Sequence, residues 1–518
     1  MVAICDIVKK NDDDSAATAA TSDDNSTAMV RKNSFVVSCK IINHRSTTNK
    51  TTKKLSLTSS NKMPFFRPSL FSNVPPTIRF CLHDENKVQK PKKSIRKLLK
   101  WRHNSLTPRV IRRALLNSHF EIVDADSRFW IGYWGRHWKT PDFRQLLPYQ
   151  KVNHFAGAFN LGRKDKLWTN IDRLSSKNVK NGEFSLLMPK TYILPHDLSL
   201  LKQKMSQDGQ LTPYILKPPA SARGTGIHVV HRSSQIPRKK SLVAQTYIYN
   251  PLLLYGSKFD LRIYVYVTSF NPLKIYLYQE GLVRFASVKY SKCLSTITNR
   301  LMHLTNYSLN KSAAQDENIE NRSETGVKWS LTKFWNHLKH MGKDVDKLQN
   351  EIIDLIIKTF ICCETPINSY MNEQISITRC IKILRFTSSG SPYSANYTTK
   401  PWCNVGKDTS LHQKEAFYIE TFEKTGKIDP TILDDLTGED LRILIDLEDE
   451  YQRRGDFVRI FPDQEANSRY LHFFETNRYA NLLLDEWLNQ YFHIRETGLK
   501  LLEEHCKRKA HVATKRCD

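Results

Sequence analysis

The run Tyr214-Ile-Leu-Lys-Pro-Pro-Ala-Ser-Ala-Arg-Gly-Thr-Gly-Ile-His-Val-Val230 gathers residue types that hold phosphate. Its pattern predicts a strand, a loop of small residues and a second strand. Lys217, ending the first strand, can point along the sheet edge toward a phosphate. The small residues of 219–226 let backbone N–H groups approach phosphate oxygens, and Arg223 adds a planar, multi-donor charge. No helix is predicted after the loop, so it is neither a Walker loop nor a dinucleotide-binding turn. Taken alone, a structural hairpin explains it more simply.

Three further runs add polar chemistry in order along the chain. Gln245-Thr-Tyr-Ile248 lies one strand later, where backbone groups can face an adenine. Lys258-Phe-Asp-Leu-Arg262 opens the next strand with two cations and an acid. His303-Leu-Thr-Asn-Tyr-Ser308 supplies polar groups after the strand containing Gly281-Leu-Val-Arg284. Other conspicuous residues have plainer readings. His228, His231 and His303 read as structural histidines, Cys362-Cys363 as core, and Trp329 and Trp335 as packing residues.

These side chains need a scaffold, and hydropathy predicts one of mixed type. Strands are expected over 190–194, 214–217, 226–230, 242–249, 259–270 and 273–277, with Asn271-Pro272 turning one hairpin. Within 259–270, Arg262, Tyr264 and Tyr266 alternate with Ile263, Val265 and Val267, the period of a strand. Helices are expected over 328–341, 349–363 and 475–505. Thr437-Gly-Glu-Asp440 offers a capping box for a helix over 441–454, with Gly455 as its stop. The class is α+β, with helices concentrated toward the end.

The chain has 518 residues, enough for two to four domains at about 100–200 residues each. Its net charge of +27 favours acidic partners. Residues 1–86 are expected to be a disordered tail, most clearly over the Ser-, Thr- and Asn-rich stretch 1–62. Residues 87–113 hold eleven Lys or Arg and no acid, and 87–116 is expected to be a basic arm. A basic tail is expected over 506–518. None of the ten cysteines makes a C-x-x-C pair, which argues against a zinc or redox motif. Asp6 and the Asp12–Asp14 run argue against a signal peptide, and no apolar stretch approaches the roughly 18 residues of a membrane span. A reduced intracellular compartment and no membrane partner are the expectation.

The four runs, together with Gly162-Arg-Lys-Asp-Lys-Leu-Trp168, resemble the tubulin tyrosine ligase-like family of ATP-grasp ligases. The resemblance covers about 119–395 and resumes over about 411–490. It is strongest to the glutamylase branch, in particular the type-4 polyglutamylases, in Lys217–Gly224, Lys258–Tyr266 and Gly281–Ala286. It implies an ATP-grasp core over 117–410 and a helical extension over 411–505. The implied activity is ATP- and Mg2+-dependent ligation of free L-glutamate to glutamate side chains in tubulin tails. By the same resemblance, Lys217, Arg223 and Gly224 hold phosphates, and Gln245, Thr246, Tyr247 and Ile248 line an adenine slot. Lys258, Phe259, Asp260, Thr305 and Asn306 complete the nucleotide site. Arg284, Ser308 and Lys328 take the incoming glutamate, with Arg262 and Arg284 as catalytic residues. The implied setting is a monomer acting on microtubules in the cytoplasm, cilium or basal body.

One region departs from the family pattern. Ser391-Pro-Tyr-Ser394 runs almost directly into Lys400-Pro-Trp402, without the expected Gly-Phe-Asp strand. Cys403-Asn404-Val405 stands where an acid-bearing run is expected, so the second ATP-grasp lobe reads as truncated and the metal ligands are not identifiable. An inactive homologue or isoform that still grips tubulin is therefore the alternative to an active ligase. Nucleic-acid binding through the basic arm is disfavoured by the lack of a base-stacking module.

Overall fold

The computed structural model describes residues 62–512, apart from 83–84, 86, 148, 178–181, 185–186, 210–211, 314–325, 327, 375–408 and 464–466. The readings at 1–61, Ser391–Ser394, Lys400–Trp402, Cys403–Val405 and 513–518 lie outside the described residues. Fifteen strands and a larger number of helices make an α+β architecture among the described residues.

Order begins earlier than the sequence suggests. The hairpin β1 (Phe66–Arg67) and β2 (Thr77–Ile78) precedes a parallel sheet of β3 (Lys100–Arg102), β4 (Glu121–Val123), β5 (Gly132–Tyr133) and β6 (Lys151–Val152), in the order β4-β3-β5-β6. Phe65, Ile78, Val88, Ile95, Leu99, Trp101, Leu115 and Phe120 form one buried core there. Residues 62–82 are thus not part of a tail, and 87–116 is not a free arm. Sparse apolar residues at partly helical spacing pin the segment, while Lys87, Lys90, Lys92, Lys93 and Lys97 stay exposed. The guanidinium of Arg102 lies 5.7–5.9 Å from the rings of Trp130, Tyr133 and Trp138.

Two antiparallel sheets carry the 218–227 loop and its neighbours. The first contains β7 (Thr191–Leu194), β8 (Tyr214–Lys217), β9 (His228–Val230) and β10 (Leu242–Thr246), ordered β7-β10-β8-β9. The second is built on β11 (Leu253–Leu254) and the long hairpin β12 (Ser257–Phe270) and β13 (Leu273–Phe285), edged by β14 (Lys328–Ser330) and joined by β15 (Phe457–Phe461). The Asn271-Pro272 turn joins this hairpin as the sequence predicts.

The predicted helix over 328–341 begins three residues late. Lys328–Ser330 pairs with β13, and the helix is Leu331–His340. The hydroxyl of Ser330 accepts from the N–H of Lys333, capping the helix there and leaving the preceding residues extended. Toward the C-terminus, helices Val345–Gln374, Gly438–Gln452, Tyr479–Tyr491 and Arg495–Lys507 pack on the far end of the β12–β13 hairpin. Leu273, Ile357, Cys362, Cys363, Leu444 and Leu483 are fully buried in that core. The capping box at Thr437 and Asp440 forms, and Gly455 adopts φ 57°.

Candidate functional site

The loop after β8 turns sharply because Arg223, Gly224 and Gly226 take left-handed φ values of 61°, 79° and 69°. Gly224 is also required by space, since a Cβ there would lie 2.8 Å from Asn306 Oδ1. The loop is held from three sides. Lys164 Nζ donates to the carbonyls of Pro218 (3.1 Å) and Ser221 (2.8 Å). Arg300 Nη2 donates to the Gly224 carbonyl (2.7 Å), and Ser308 Oγ to the Arg223 carbonyl (3.2 Å). A loop whose carbonyls are taken from outside is braced to keep its shape around an anion.

Lys217 on one sheet and Lys258 on the other lie close enough for their charges to interact. Lys217 Nζ donates to Gln245 Oε1 at 2.6 Å, and Gln245 Nε2 in turn donates to Thr191 Oγ1 at 2.9 Å. Lys258 Nζ donates to Tyr247 Oη at 2.8 Å and lies 4.1 Å from the centre of the same ring. Tyr247 Oη also meets His303 Nδ1 at 2.8 Å, while His303 Nε2 meets the Thr296 carbonyl at 3.1 Å. A carbonyl only accepts, so Nε2 carries the proton and Nδ1 accepts from the tyrosine. Burial lowers the His303 pKa, consistent with this neutral tautomer. Burial first, then Lys164, pushes Lys217 down to about 8. Burial first, then Lys217, pushes Lys258 down to about 8, with Asp260 acting in the opposite sense. Lys164 thus disfavours the charge of Lys217, and Lys217 that of Lys258, a crowding suited to a multiply charged anion.

A second constellation adjoins the first. Asp260 on β12 pairs in register with Arg284 on β13, which pairs in register with Lys328 on β14. Cross-strand neighbours share a face, so an acid and two cations form one row. Arg284 donates through Nε (2.8 Å) and Nη2 (2.6 Å) to both oxygens of Asp260, and Thr305 Oγ1 donates to the same carboxylate at 2.9 Å. Lys328 Nζ lies 5.4 Å from the ring of Tyr307. Arg262 falls on the same face of β12 as Asp260, two residues on and opposite Leu282.

The expected residues therefore separate into groups. Lys217, Arg223, Gly224, Lys258, Asp260, Arg284, Thr305, Asn306, Ser308 and Lys328 converge through the contacts above. Gln245 and Tyr247 orient the two lysines. The hydroxyl of Thr246 donates to the Lys190 carbonyl, and Ile248 is exposed beside it. Phe259 does not join them. Strand alternation turns it to the opposite face, where it packs on Phe285 and Phe334. Lys164 and Arg300 received no role from the sequence. Both act across large sequence separations, Lys164 on carbonyls 54 and 57 residues away, which local patterns do not encode. His303, read as merely structural, ends the chain of bonds that orients Lys258.

Among the described residues, no group of three or more His, Cys, Asp or Glu stands together as metal ligands. Asp260 is already engaged by Arg284 and Thr305. The described residues do not by themselves fit a magnesium site, and no step below is routed through one. No described helix is long and apolar enough to cross a membrane.

The chain is similar to known proteins. Residues 143–386 match the model of the tubulin-tyrosine ligase family. The chain is 40% identical to the tubulin polyglutamylase ttll-4 of Caenorhabditis elegans, over 93% of this chain and 85% of that protein. It is 37% identical to the human tubulin monoglutamylase TTLL4, over 89% of this chain and 43% of that protein. It is 30% identical to the human tubulin polyglutamylase TTLL5, over 77% of this chain and 36% of that protein. The chain thus spans less than half the length of these human relatives. With a glycine-bearing loop on one sheet, a cation row on the next and a likeness running through both, this α+β, ATP-grasp-like chain belongs to the tubulin-tyrosine ligase family.

Proposed function

We propose that the chain is an ATP-dependent ligase that joins L-glutamate to glutamate side chains of tubulin tails. The observation that carries this reading is a set of three lysines next to a row of two further cations. Lys164 braces the loop that follows Lys217, Lys258 lies close enough to Lys217 to feel its charge, and Arg284 and Lys328 stand in a row on β13 and β14.

An amide does not form from a carboxylate at a useful rate without activation. The acceptor carboxylate oxygen attacks the γ-phosphorus of ATP, and the bond to ADP breaks. The amine of free glutamate then attacks the acyl carbon, the bond to phosphate breaks, and one proton leaves the nitrogen. The loop and its lysines bind the triphosphate and orient it, which is the larger part of phosphoryl-transfer catalysis. Arg284, its plane held by Asp260 before any ligand arrives, offers a charged fork to the carboxylates of the incoming glutamate, with Lys328 beside it. Glycine, lacking a side-chain carboxylate, would leave part of this row unused. The reading places the protein on tubulin-bearing structures, including the cytoskeleton and cilium.

The test is ATP-dependent transfer of radiolabelled glutamate to microtubules, compared with microtubules whose acidic tails have been cleaved off. Incorporation that needs both ATP and tails supports the reading. A second reading, a homologue that grips tubulin without catalysis, is favoured by the shortened run between Ser394 and Ala416. Tail-dependent binding with no incorporation would select it and sink the first.

A further inference from the structure

Arg67 and Arg79 stand on one face of the β1–β2 hairpin, because Arg67 pairs opposite Thr77 and Arg79 lies two residues further on. That face closes on the end of helix Gly438–Gln452, where Arg453 forms the C-cap. The three arginines line one cleft, together with Asp449 as its carboxylate. The cleft shares no residue with the nucleotide and glutamate constellations.

Asp449 is 1% exposed and already committed. It accepts from Ser69 Oγ (2.8 Å) and the Leu70 N–H (2.9 Å), and Arg453 Nη1 lies 3.5 Å from it. Three guanidiniums against one carboxylate leave an excess of +2 among the cleft-lining residues. Arginines do not relieve such crowding by losing protons, since their pKa stays far above neutral. Burial, then Arg79 and Arg453, act together to lower the Arg67 pKa. The crowding is relieved when an anion enters.

We propose that this cleft is a binding site for a phosphate-type oxyanion held by Arg67, Arg79 and Arg453. A tetrahedral oxyanion presents acceptors in several directions, as three forks arriving from two elements require. Its charge of about −1.5 to −2 at neutral pH matches the excess. A single carboxylate is planar and carries one charge. A bound ion would bridge the hairpin to the helix. It would reinforce a docking that already uses Ser69 on Asp449, Ser72 on Glu503 and Asn73 on the Cys506 carbonyl.

The test titrates the full chain with inorganic phosphate at constant ionic strength and follows calorimetry, the melting temperature and amide exchange over residues 66–79. Saturable binding, a raised Tm and slowed exchange are expected. Arg67→Gln and Arg79→Gln should each weaken all three responses at least tenfold, whereas Lys217→Ala should leave them in place. Arg67→Lys, which keeps the charge and loses the fork, should weaken binding severalfold while the circular dichroism spectrum is retained. A response lost in Lys217→Ala but kept in the arginine variants would assign phosphate to the nucleotide site and overturn the proposal. Equal binding of glutarate would overturn the phosphate assignment, and no response in the unaltered chain would overturn the site itself.

Discussion

Two lysines set the ionic character of the proposed nucleotide pocket. Burial, and then a neighbouring amine, pushes Lys217 and Lys258 each down to about 8. Their ordinary value is near 10.4, so below pH 8 they are charged in folded and unfolded chains alike, and the burial of those charges, then repulsion from the neighbouring amine, opposes folding. That penalty is relieved as pH rises from about 8 toward 10.4, where the unfolded chain holds the more protons. A triphosphate restores the protons, so binding takes them up in the same window. ATP affinity should be level up to about pH 7.5 and fall about tenfold per lysine for each unit above pH 8. Calorimetric titration at pH 7 and pH 9 checks this, and equal affinities would remove the lysines from the site. At the neighbouring row, Arg284→Ala should abolish glutamate transfer while ATP still binds. Loss of a charge-assisted pair of this kind costs roughly 2–5 kcal/mol. Transfer at near-normal kcat/KM would show that Arg284 has another role.

Elements decide whether those residues meet. The loop between β8 and β9 is held from three elements, so its shape, and not only its composition, is the functional quantity. Gly224→Ala would force a side chain into left-handed backbone 2.8 Å from Asn306 Oδ1. At about 1–2 kcal/mol for the backbone alone, the variant should melt several degrees lower and bind ATP about tenfold more weakly. Unchanged ATP binding would mean that the loop does not carry the phosphates. The capping box of helix Gly438–Gln452 is a purely structural counterpart. Thr437→Ala should cost about 1 kcal/mol in denaturant unfolding, with no change in ATP binding. β14 was the element least legible in sequence. The apolar spacing of 328–341 suits a helix throughout, and only the edge of β13 recruits its first three residues as a strand.

At the scale of the whole molecule, charge and fold are separable. The chain carries +27, and 87–113 concentrates eleven cations without an acid. That segment is folded, so deleting it would remove Leu99 and Trp101 from a core and confound any binding measurement. Replacing the exposed Lys87, Lys90, Lys92, Lys93 and Lys97 with Gln leaves the core residues in place. The substitution should weaken microtubule co-sedimentation. Binding by the unaltered chain should fall steeply as salt rises, since exposed charges are screened over roughly 8–10 Å at physiological ionic strength. It should fall again when the acidic tails are removed. Microtubule binding indifferent to both treatments, with strong RNA or DNA binding at the same salt, would point to nucleic acid instead.

The sequence by itself determined the strand–loop–strand over 214–230, the long β12–β13 hairpin and the capped C-terminal helix, because each rests on neighbours within a few residues. Small residues permit the loop, period-two alternation makes the strands, and Thr437 with Asp440 closes one helix end. Only the tertiary structure decided the rest. It folded the basic segment, because a few scattered apolar residues suffice when a parallel sheet and a hairpin cover them. It packed Phe259 against Phe285 and Phe334, away from Lys258 and Asp260. It also aligned Asp260, Arg284 and Lys328, brought Lys164 beneath the loop and linked His303 through Tyr247 to Lys258. Pairing in register and hydrogen bonding across tens of residues depend on how strands meet in space, which local composition does not specify.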